Sequence, residues 1–287
     1  LARRGVSAAV RGPLRAGSAT ALGRVLLGYP EQFRFLEPSA ARDDPATARD
    51  GRTAAAGQLF LWAQYSRPPG PTALSALEGL TAVPLTEQTA EHLRRAGVRR
   101  IGPVIPHGVD TALFRPFGPP ARRRLRERWE LEEPGDAASQ RSFGTAFVVG
   151  AVGAHTARKR LDLVLGSFAR FASAFPRSLL VVKTDRLRSA EGTDLQALTR
   201  RLGIEGRVRL ITAELPTAAV AGLYNCFDVL LALAEWEGFG IPVIEAMSCG
   251  VPVVTHPGQG PGEVVPYREL LVPGSRRREE GGALLLE

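Results

Sequence analysis

From about residue 145 onward, short apolar runs alternate with amphipathic stretches of helical length. Continuous apolar strands between amphipathic helices are typical of a parallel sheet covered on both faces, so this part is predicted to be an α/β domain. The predicted strands are Ala146–Val152, Leu179–Lys183, Val208–Ile211, Val229–Leu233 and Val251–Val254. The predicted helices are Leu161–Ala174, Asp194–Leu202, Thr217–Tyr224 and Ile241–Met247.

The first part of the chain has a less regular pattern. Residues 1–56 are rich in Ala, Arg, Gly and Asp and show little periodicity. Beyond them, short apolar runs and one capped helix are expected, with Thr86 as N-cap and Gly97 as the stop. The predicted strands are Leu59–Ala63, Ala82–Leu85 and Pro103–Ile105, and the predicted helices are Ala73–Leu80 and Glu87–Ala96.

Residues 115–144 separate these two regions. They are polar, Arg-rich and interrupted by Pro, with one amphipathic helix predicted near Arg122–Leu131. Such composition is typical of a boundary between domains.

The most informative segment runs from Glu237 to Val254 and reads EGFGIPVIEAMSCGVPVV. Pro242 opens a predicted helix and Gly250 ends it. A helix N-terminus preceded by glycines presents backbone N–H groups and the positive end of the helix dipole, which suits a phosphate. Two carboxylates, Glu237 and Glu245, flank this turn, and carboxylates accept hydrogen bonds from hydroxyls. The segment therefore predicts a site for a diphosphate with hydroxyls on both sides, as in a nucleotide sugar.

This segment resembles the donor-site signature of family 4 retaining glycosyltransferases of GT-B fold. In that signature two glutamates, separated by seven residues, lie in the pattern EGFG-[LI]-P-x-x-E-A-M-x-x-G-x-P-V. The stretches PHGVD at 106–110 and FRP at 114–116 are similar to the family's interdomain segment. The resemblance covers residues 58–272. It implies an α/β protein of GT-B type, with two Rossmann-like domains facing a cleft.

The resemblance also implies a division of the chain. Residues 1–115 would be a remnant of the N-terminal acceptor-side domain, 116–144 an interdomain linker and helix, and 145–287 the nucleotide-sugar donor-binding domain. The glycine-rich loop that usually opens the first domain is not visible, the usual closing helices do not follow, and there is no initial Met. We therefore expect a fragment truncated at both ends.

Family analogy assigns roles to two loops that follow predicted strands, where ligands bind in such sheets. Glu237 is expected to accept hydrogen bonds from the donor sugar, and Glu245 from the ribose. The amides of the intervening turn are expected near the phosphate or the sugar. The turn residues are Gly238, Phe239 and Gly240.

The second loop, from Gly153 to Arg160, is compared with the family pattern G-R-x-x-x-x-K-G, whose cations neutralise the departing diphosphate. Lys159 falls on the Lys position, whereas Ala154 replaces the usual Arg, so that Arg158 or Arg160 is expected to substitute. The predicted catalytic residues are thus Glu237, Lys159 and Arg158. The predicted donor-binding residues are Gly238, Phe239, Gly240, Glu245, Gly153 and His155.

The acceptor side and any metal are less well defined. Where the family often has a His, residues 62–67 read WAQYSR, and Gln64 is the candidate for that position. His107 is predicted to be a turn or interface residue. No Asp-x-Asp pair stands where it could hold a metal, and GT-B enzymes are generally metal-independent, so neither a metal nor another cofactor is expected.

The charge and the apolar content of the chain indicate which partners and which cellular compartment to expect. The net charge is +8, but Lys159 and Lys183 are the only lysines, and the arginines are scattered among Ala, Gly and Pro. This indicates a compositional bias rather than a nucleic-acid patch. No apolar run reaches the roughly 18 to 20 residues that cross a bilayer, and the basic N-terminus lacks the apolar core of a signal peptide. A cytoplasmic location is expected, with peripheral contact at the inner membrane face left open.

The sequence therefore predicts transfer of a sugar, with retention of configuration, from a nucleotide sugar to an unidentified acceptor (a saccharide, a lipid-linked molecule or a small molecule). A binding-only fragment is the main alternative. An Arg-rich nucleic-acid binder and a glycosidase carboxylate pair are two others, and the phosphate-type turn argues against the second. The plainest alternative is an ordinary helix–strand connection with two solvated glutamates.

Overall fold

The computed structural model describes residues 80–131, 146–258 and 260–273, together with Leu74 and Leu77. It also describes the course of four further strands, at residues 24–28, 59–63, 276–278 and 284–286. The chain forms two compact units, Leu1–His107 and Gly108–Glu287.

The first unit contains a three-stranded parallel sheet in the order β1-β2-β3. The predicted Leu59–Ala63 strand is confirmed, and so is the helix predicted at Glu87–Ala96, which spans Glu87–Arg95. Thr86 caps that helix by accepting from the Thr89 amide at 3.0 Å. Its elements are β1 (Arg24–Gly28), β2 (Leu59–Ala63), β3 (Thr81–Pro84) and α1 (Glu87–Arg95).

In this unit one strand was not predicted, one predicted strand was wrong, and one predicted helix is largely not described. Strand β1 lies in the region that showed little periodicity, and the Pro103–Ile105 strand does not form. The Ile105 amide bonds the Pro84 carbonyl at 2.9 Å, but the run does not extend into a ladder. Because the two prolines of that region, Pro103 and Pro106, cannot donate, such an extension is disfavoured. The helix predicted at Ala73–Leu80 lies largely outside the described residues.

The second unit is built on a five-stranded parallel sheet in the order β6-β5-β4-β7-β8. Every strand and helix predicted from residue 145 onward is present within two residues of its predicted bounds. The strands are β4 (Phe147–Val152), β5 (Ser178–Lys183), β6 (Val208–Ile211), β7 (Val229–Ala232) and β8 (Val253–Thr255). The helices are α2 (Pro119–Arg128), α3 (Leu161–Ala174), α4 (Leu195–Arg201), α5 (Thr217–Tyr224), α6 (Ile241–Ser248) and α7 (Gly260–Val264). A short antiparallel pair follows, β9 (Arg276–Arg278) with β10 (Leu284–Leu286).

The continuous apolar strands are explained by burial on both faces of this sheet. Val148 packs in the core that contains Leu223 and Phe227, whereas its neighbour Val149 packs on the other face with Phe168. A strand covered on both faces needs no polar side. The sequence pattern therefore follows directly from the layered architecture.

Two arginines of helix α2 bind it to the rest of this unit through hydrogen bonds and ion pairs. Asp228 contacts Arg122 at 2.6 Å and Arg126 at 2.7 Å, and it also accepts the Val148 amide at 2.7 Å. The Arg126 side chain is only 6% exposed, and it donates further to the carbonyls of Cys226 and of residue 146. The helix of segment 116–144 thus packs against the sheet that follows it.

Candidate functional site

The loops after β4 and β7 meet because of the strand order. The chain moves outward from β4 through β5 to β6, and then returns to place β7 on the other side of β4. Ligands bind to open α/β sheets at the point where the order reverses. The Glu235 amide donates to the Arg158 carbonyl at 2.7 Å, which joins the two loops directly.

The three residues predicted to be catalytic are in contact at this junction. Glu237, only 6% exposed, accepts through Oε2 from Nζ of Lys159 and from Nη1 of Arg158, the latter at 3.2 Å. The same guanidinium nitrogen donates to the Trp236 carbonyl at 3.0 Å. Two cations therefore converge on one buried carboxylate. A phosphate entering here would compete with Glu237 for the same donors.

The glycine turn depends on backbone conformations that side chains disfavour. Gly240 has φ +93° and is the N-cap of α6, and a Cβ added there would lie 2.9 Å from the ring of Pro261. Pro242 stands in the first turn, and among the described side chains none caps this helix. The first turn of α6 is thus free of the usual Ser, Thr or Asp cap that would block an anion. Phe239 is only 1% exposed, and its ring packs in the interior.

Glu245 lies on α6, one turn after the glycines, and is half-buried. Its Oε2 accepts a hydrogen bond of 2.8 Å from the hydroxyl of Tyr224 on α5. Burial raises the pKa of Glu245 above its usual range, and the Tyr224 hydrogen bond opposes that rise. The pKa of Tyr224 is raised by its burial and then by the Glu245 charge. The sequence did not identify Tyr224 as a partner of this carboxylate.

His155 and Gly153 begin the basic loop. His155 is 4% exposed, and its amide donates to Oδ1 of Asp185 at 2.7 Å. This hydrogen bond, followed by the contact with Arg186, lowers the pKa of Asp185 to about 2. Asp185 was missed by the sequence analysis, although its position just after β5 places it at the same sheet edge. Gly153 lies beside the aliphatic stem of Lys159.

The remaining residues that the sequence singled out fall elsewhere or are not described. A cavity of about 30 Å³, lined in part by Lys159, Glu237 and Gly240, lies at the junction. That volume is on the scale of a water molecule rather than of a sugar. Burial lowers the pKa of His107 in the first unit. Gln64 lies outside the described residues.

Metal ligation and membrane spanning both depend on side chains that the described part of the chain can be checked for. Within residues 80–131, 146–258 and 260–273, no group of three or more His, Cys, Asp or Glu side chains is arranged to hold a metal ion. In the same described part, no helix has the length and apolarity that crossing a bilayer requires.

Comparisons with known proteins agree with this architecture. A family model described as "Glycosyl transferases group 1" matches residues 134–277, which include both loops. A D-inositol 3-phosphate glycosyltransferase of Acidothermus cellulolyticus is 31% identical over 189 residues, covering 63% of this chain and 39% of the relative. Its counterpart from Rhodococcus erythropolis is 34% identical over 161 residues, covering 53% of this chain and 36% of the relative.

A solved structure supports the fold. The Anabaena protein HepE, crystallised with UDP-glucose, superposes with a TM-score of 0.58 at 20% identity over 74% of this chain and 56% of its own. The predicted α/β fold of GT-B type is thereby confirmed. The chain spans less than half the length of the two curated relatives.

Proposed function

Because the chain belongs to the family Glycosyl transferases group 1, we propose that the whole protein transfers a sugar from a nucleotide-sugar donor and retains its anomeric configuration. The observation that carries the proposal is the contact of Lys159 and Arg158 with Glu237 at the reversal of the strand order. It brings together two cations that would bind the diphosphate and a carboxylate that would accept from sugar hydroxyls.

The proposed chemistry centres on the departing diphosphate. Breaking the bond between sugar and phosphate leaves negative charge on the nucleotide, and preorganised cations lower the cost of that charge. Lys159 and Arg158 would turn from Glu237 to the diphosphate, while Glu237 would accept from hydroxyls of the donor sugar. Retention would follow if the acceptor attacks on the face that the diphosphate leaves. We propose that these side chains do this without a metal ion, which turnover in the presence of a chelator tests.

Glu245 would complete the donor site at the other end of the nucleotide. Its carboxylate lies one helical turn beyond the N-terminus of α6, which separates it from the phosphates it would repel. Accepting hydrogen bonds from the ribose hydroxyls is the role that suits this position. Activity assays with a panel of nucleotide sugars would identify the base and the sugar, and assays with a panel of acceptors would identify the acceptor.

Nucleotide binding tests the proposal most directly. UDP, GDP and ADP are titrated against the chain, and melting curves are recorded, since a ligand at 100 times its Kd adds about 2.7 kcal/mol to the free energy of unfolding. Lys159→Ala is expected to weaken the binding of the preferred diphosphate, and the loss should shrink at high salt because the contact is dominated by charge.

Arg170→Ala is the matched control for this variant. Arg170 is exposed in the second half of α3, a helix that starts beside the basic loop and leads away from it, so its loss removes one charge without touching the loop. Equal affinity of the Lys159→Ala variant and the unmodified chain would show that the loop does not bind phosphate. Binding of a nucleotide sugar without turnover in the whole protein would favour a binding-only role.

A further inference from the structure

Tyr224 is a fully buried side chain whose hydroxyl contacts Glu245 of the candidate donor site. It ends α5, and its ring packs edge-on against Phe114 and Phe227, with centroid distances of 6.1 and 6.0 Å. Its hydroxyl leaves this aromatic cluster and donates to Oε2 of Glu245 at 2.8 Å. A buried hydroxyl requires a partner. Here the partner is a carboxylate on the neighbouring helix α6.

The two side chains differ greatly in freedom. The Tyr224 ring is held by packing on two sides and is 0% exposed, so the position of its hydroxyl is fixed by the core. Glu245 is half-buried on a helix surface, and a Glu side chain has several rotatable bonds. A hydrogen bond between a fixed donor and a mobile acceptor selects one orientation of the acceptor. The packing of the core therefore determines the orientation of the Glu245 carboxylate through the Tyr224 hydroxyl.

We propose that Tyr224 is a positioning residue, which holds the Glu245 carboxylate in the orientation that accepts hydrogen bonds from the ribose hydroxyls of the donor. This rests on the proposed function, in which Glu245 holds the ribose. The Tyr224 hydroxyl occupies one of about four lone-pair sites of the carboxylate, which leaves Oε1 and part of Oε2 for the ligand.

The same contact favours the ionised form of Glu245. Burial raises the pKa of Glu245, whereas the Tyr224 hydrogen bond lowers it. The titratable groups that the described structure places against this carboxylate are Tyr224 on α5 and Cys249 at the end of α6. Without the hydroxyl, Glu245 would take up its proton at a higher pH. Affinity for a ribonucleotide would then be lost at a higher pH as the solution is acidified.

Deoxynucleotides separate positioning from a merely structural role. The ribonucleoside diphosphate that binds best among UDP, GDP and ADP is compared with its 2′,3′-dideoxy analogue, on the unmodified chain and on Tyr224→Phe. We expect the preference for the ribonucleotide to fall about five- to tenfold in the variant, which corresponds to one hydrogen bond of net strength about 1 kcal/mol. Affinity for the dideoxy analogue should not change. The acidic midpoint of ribonucleotide binding should move to higher pH.

Tyr267→Phe is the matched control, since it removes a hydroxyl from a tyrosine that is 64% exposed. It should change neither the preference nor the midpoint. If Tyr224→Phe does not fold, 3-fluorotyrosine at position 224 keeps the ring and makes its hydroxyl a stronger donor. The acidic midpoint should then move to lower pH, and an unmoved midpoint contradicts the proposal.

The remaining outcomes are distinct. Equal weakening of both analogues by Tyr224→Phe, or an undiminished ribose preference, overturns the positioning role and leaves the proposed function standing. Binding with no difference between the ribo and dideoxy analogues in the unmodified chain contradicts the ribose role of Glu245, and with it the role of Tyr224. Absence of binding to all three nucleoside diphosphates overturns the proposed function and this inference together.

Discussion

Individual side chains at the loop junction neutralise one another. Glu237 is buried against Lys159 and Arg158, and the Lys159 side chain is itself only 14% exposed. Removing one member of such a group leaves uncompensated charge in a poorly solvated place. Glu237 thus neutralises both cations of the loop junction, and under the proposed function it would compete for them with a bound phosphate.

The Glu237→Gln variant separates these two effects. UDP, which carries no sugar, should bind more tightly by about three- to tenfold, or about 0.7 to 1.4 kcal/mol, if Lys159 and Arg158 are released for the diphosphate. This is less than the roughly 1.5 to 3 kcal/mol of a charge-assisted hydrogen bond, because the Gln amide oxygen still accepts from the same cations. Melting temperature should fall, and turnover in the whole protein should fall with loss of the sugar contact. Glu235→Gln, two residues earlier on the same loop, is the control. Weaker binding of UDP to Glu237→Gln would show that the carboxylate does not compete.

At the scale of elements, α2 is held to the sheet by hydrogen bonds rather than by a wide apolar face. The Arg126 guanidinium joins the Asp228 carboxylate to two backbone carbonyls. The variant Arg126→Met keeps most of the volume but leaves those acceptors without this donor. We expect a loss of about 3 kcal/mol in the free energy of unfolding, measured by chemical denaturation.

Arg123→Ala provides the comparison on the same helix. Arg123 forms an exposed i,i+4 pair with Glu127 at 3.3 Å, and such pairs contribute about 0.3 to 0.5 kcal/mol. If Arg126→Met were no more destabilising than Arg123→Ala, the Asp228 network would not be what fixes α2 to the second unit.

For the whole molecule, every described residue of the proposed donor site belongs to the unit Gly108–Glu287. The site is assembled by loops after β4 and β7, which the strand order makes neighbours although they are distant in sequence. Nucleotide binding is therefore expected to act first on this unit.

Hydrogen exchange with and without the preferred nucleoside diphosphate tests this expectation. Amides in the loops at 153–160 and 236–246 should gain protection, because bound ligand suppresses local opening of the segments it contacts. Segments of the first unit, such as α1, serve as the internal reference. Protection restricted to the first unit would place the nucleotide site elsewhere.

Most helices and strands were predictable from the sequence because local features, such as apolar runs and capping residues, mark them. Continuous apolar runs bounded by Gly and Pro predict the strands of the second unit, and Thr86 and Gly97 mark the two ends of α1 through local backbone geometry. Local signals also have limits. Helix α2 begins at Pro119, three residues before the predicted Arg122, because Pro fits the first turn of a helix. Strand β1 was missed because its short run gave no periodicity.

The signature segment determined which residues to examine, and the tertiary structure decided what they touch. Lys159 and Glu237 are 78 residues apart, and Tyr224 and Glu245 are 21 apart. Hydrogen-bond partners at such separations depend on strand order and helix packing, which no local pattern encodes. The sequence thus predicted two glutamates and a basic loop. Only the folded sheet paired one glutamate with two cations and the other with a buried tyrosine.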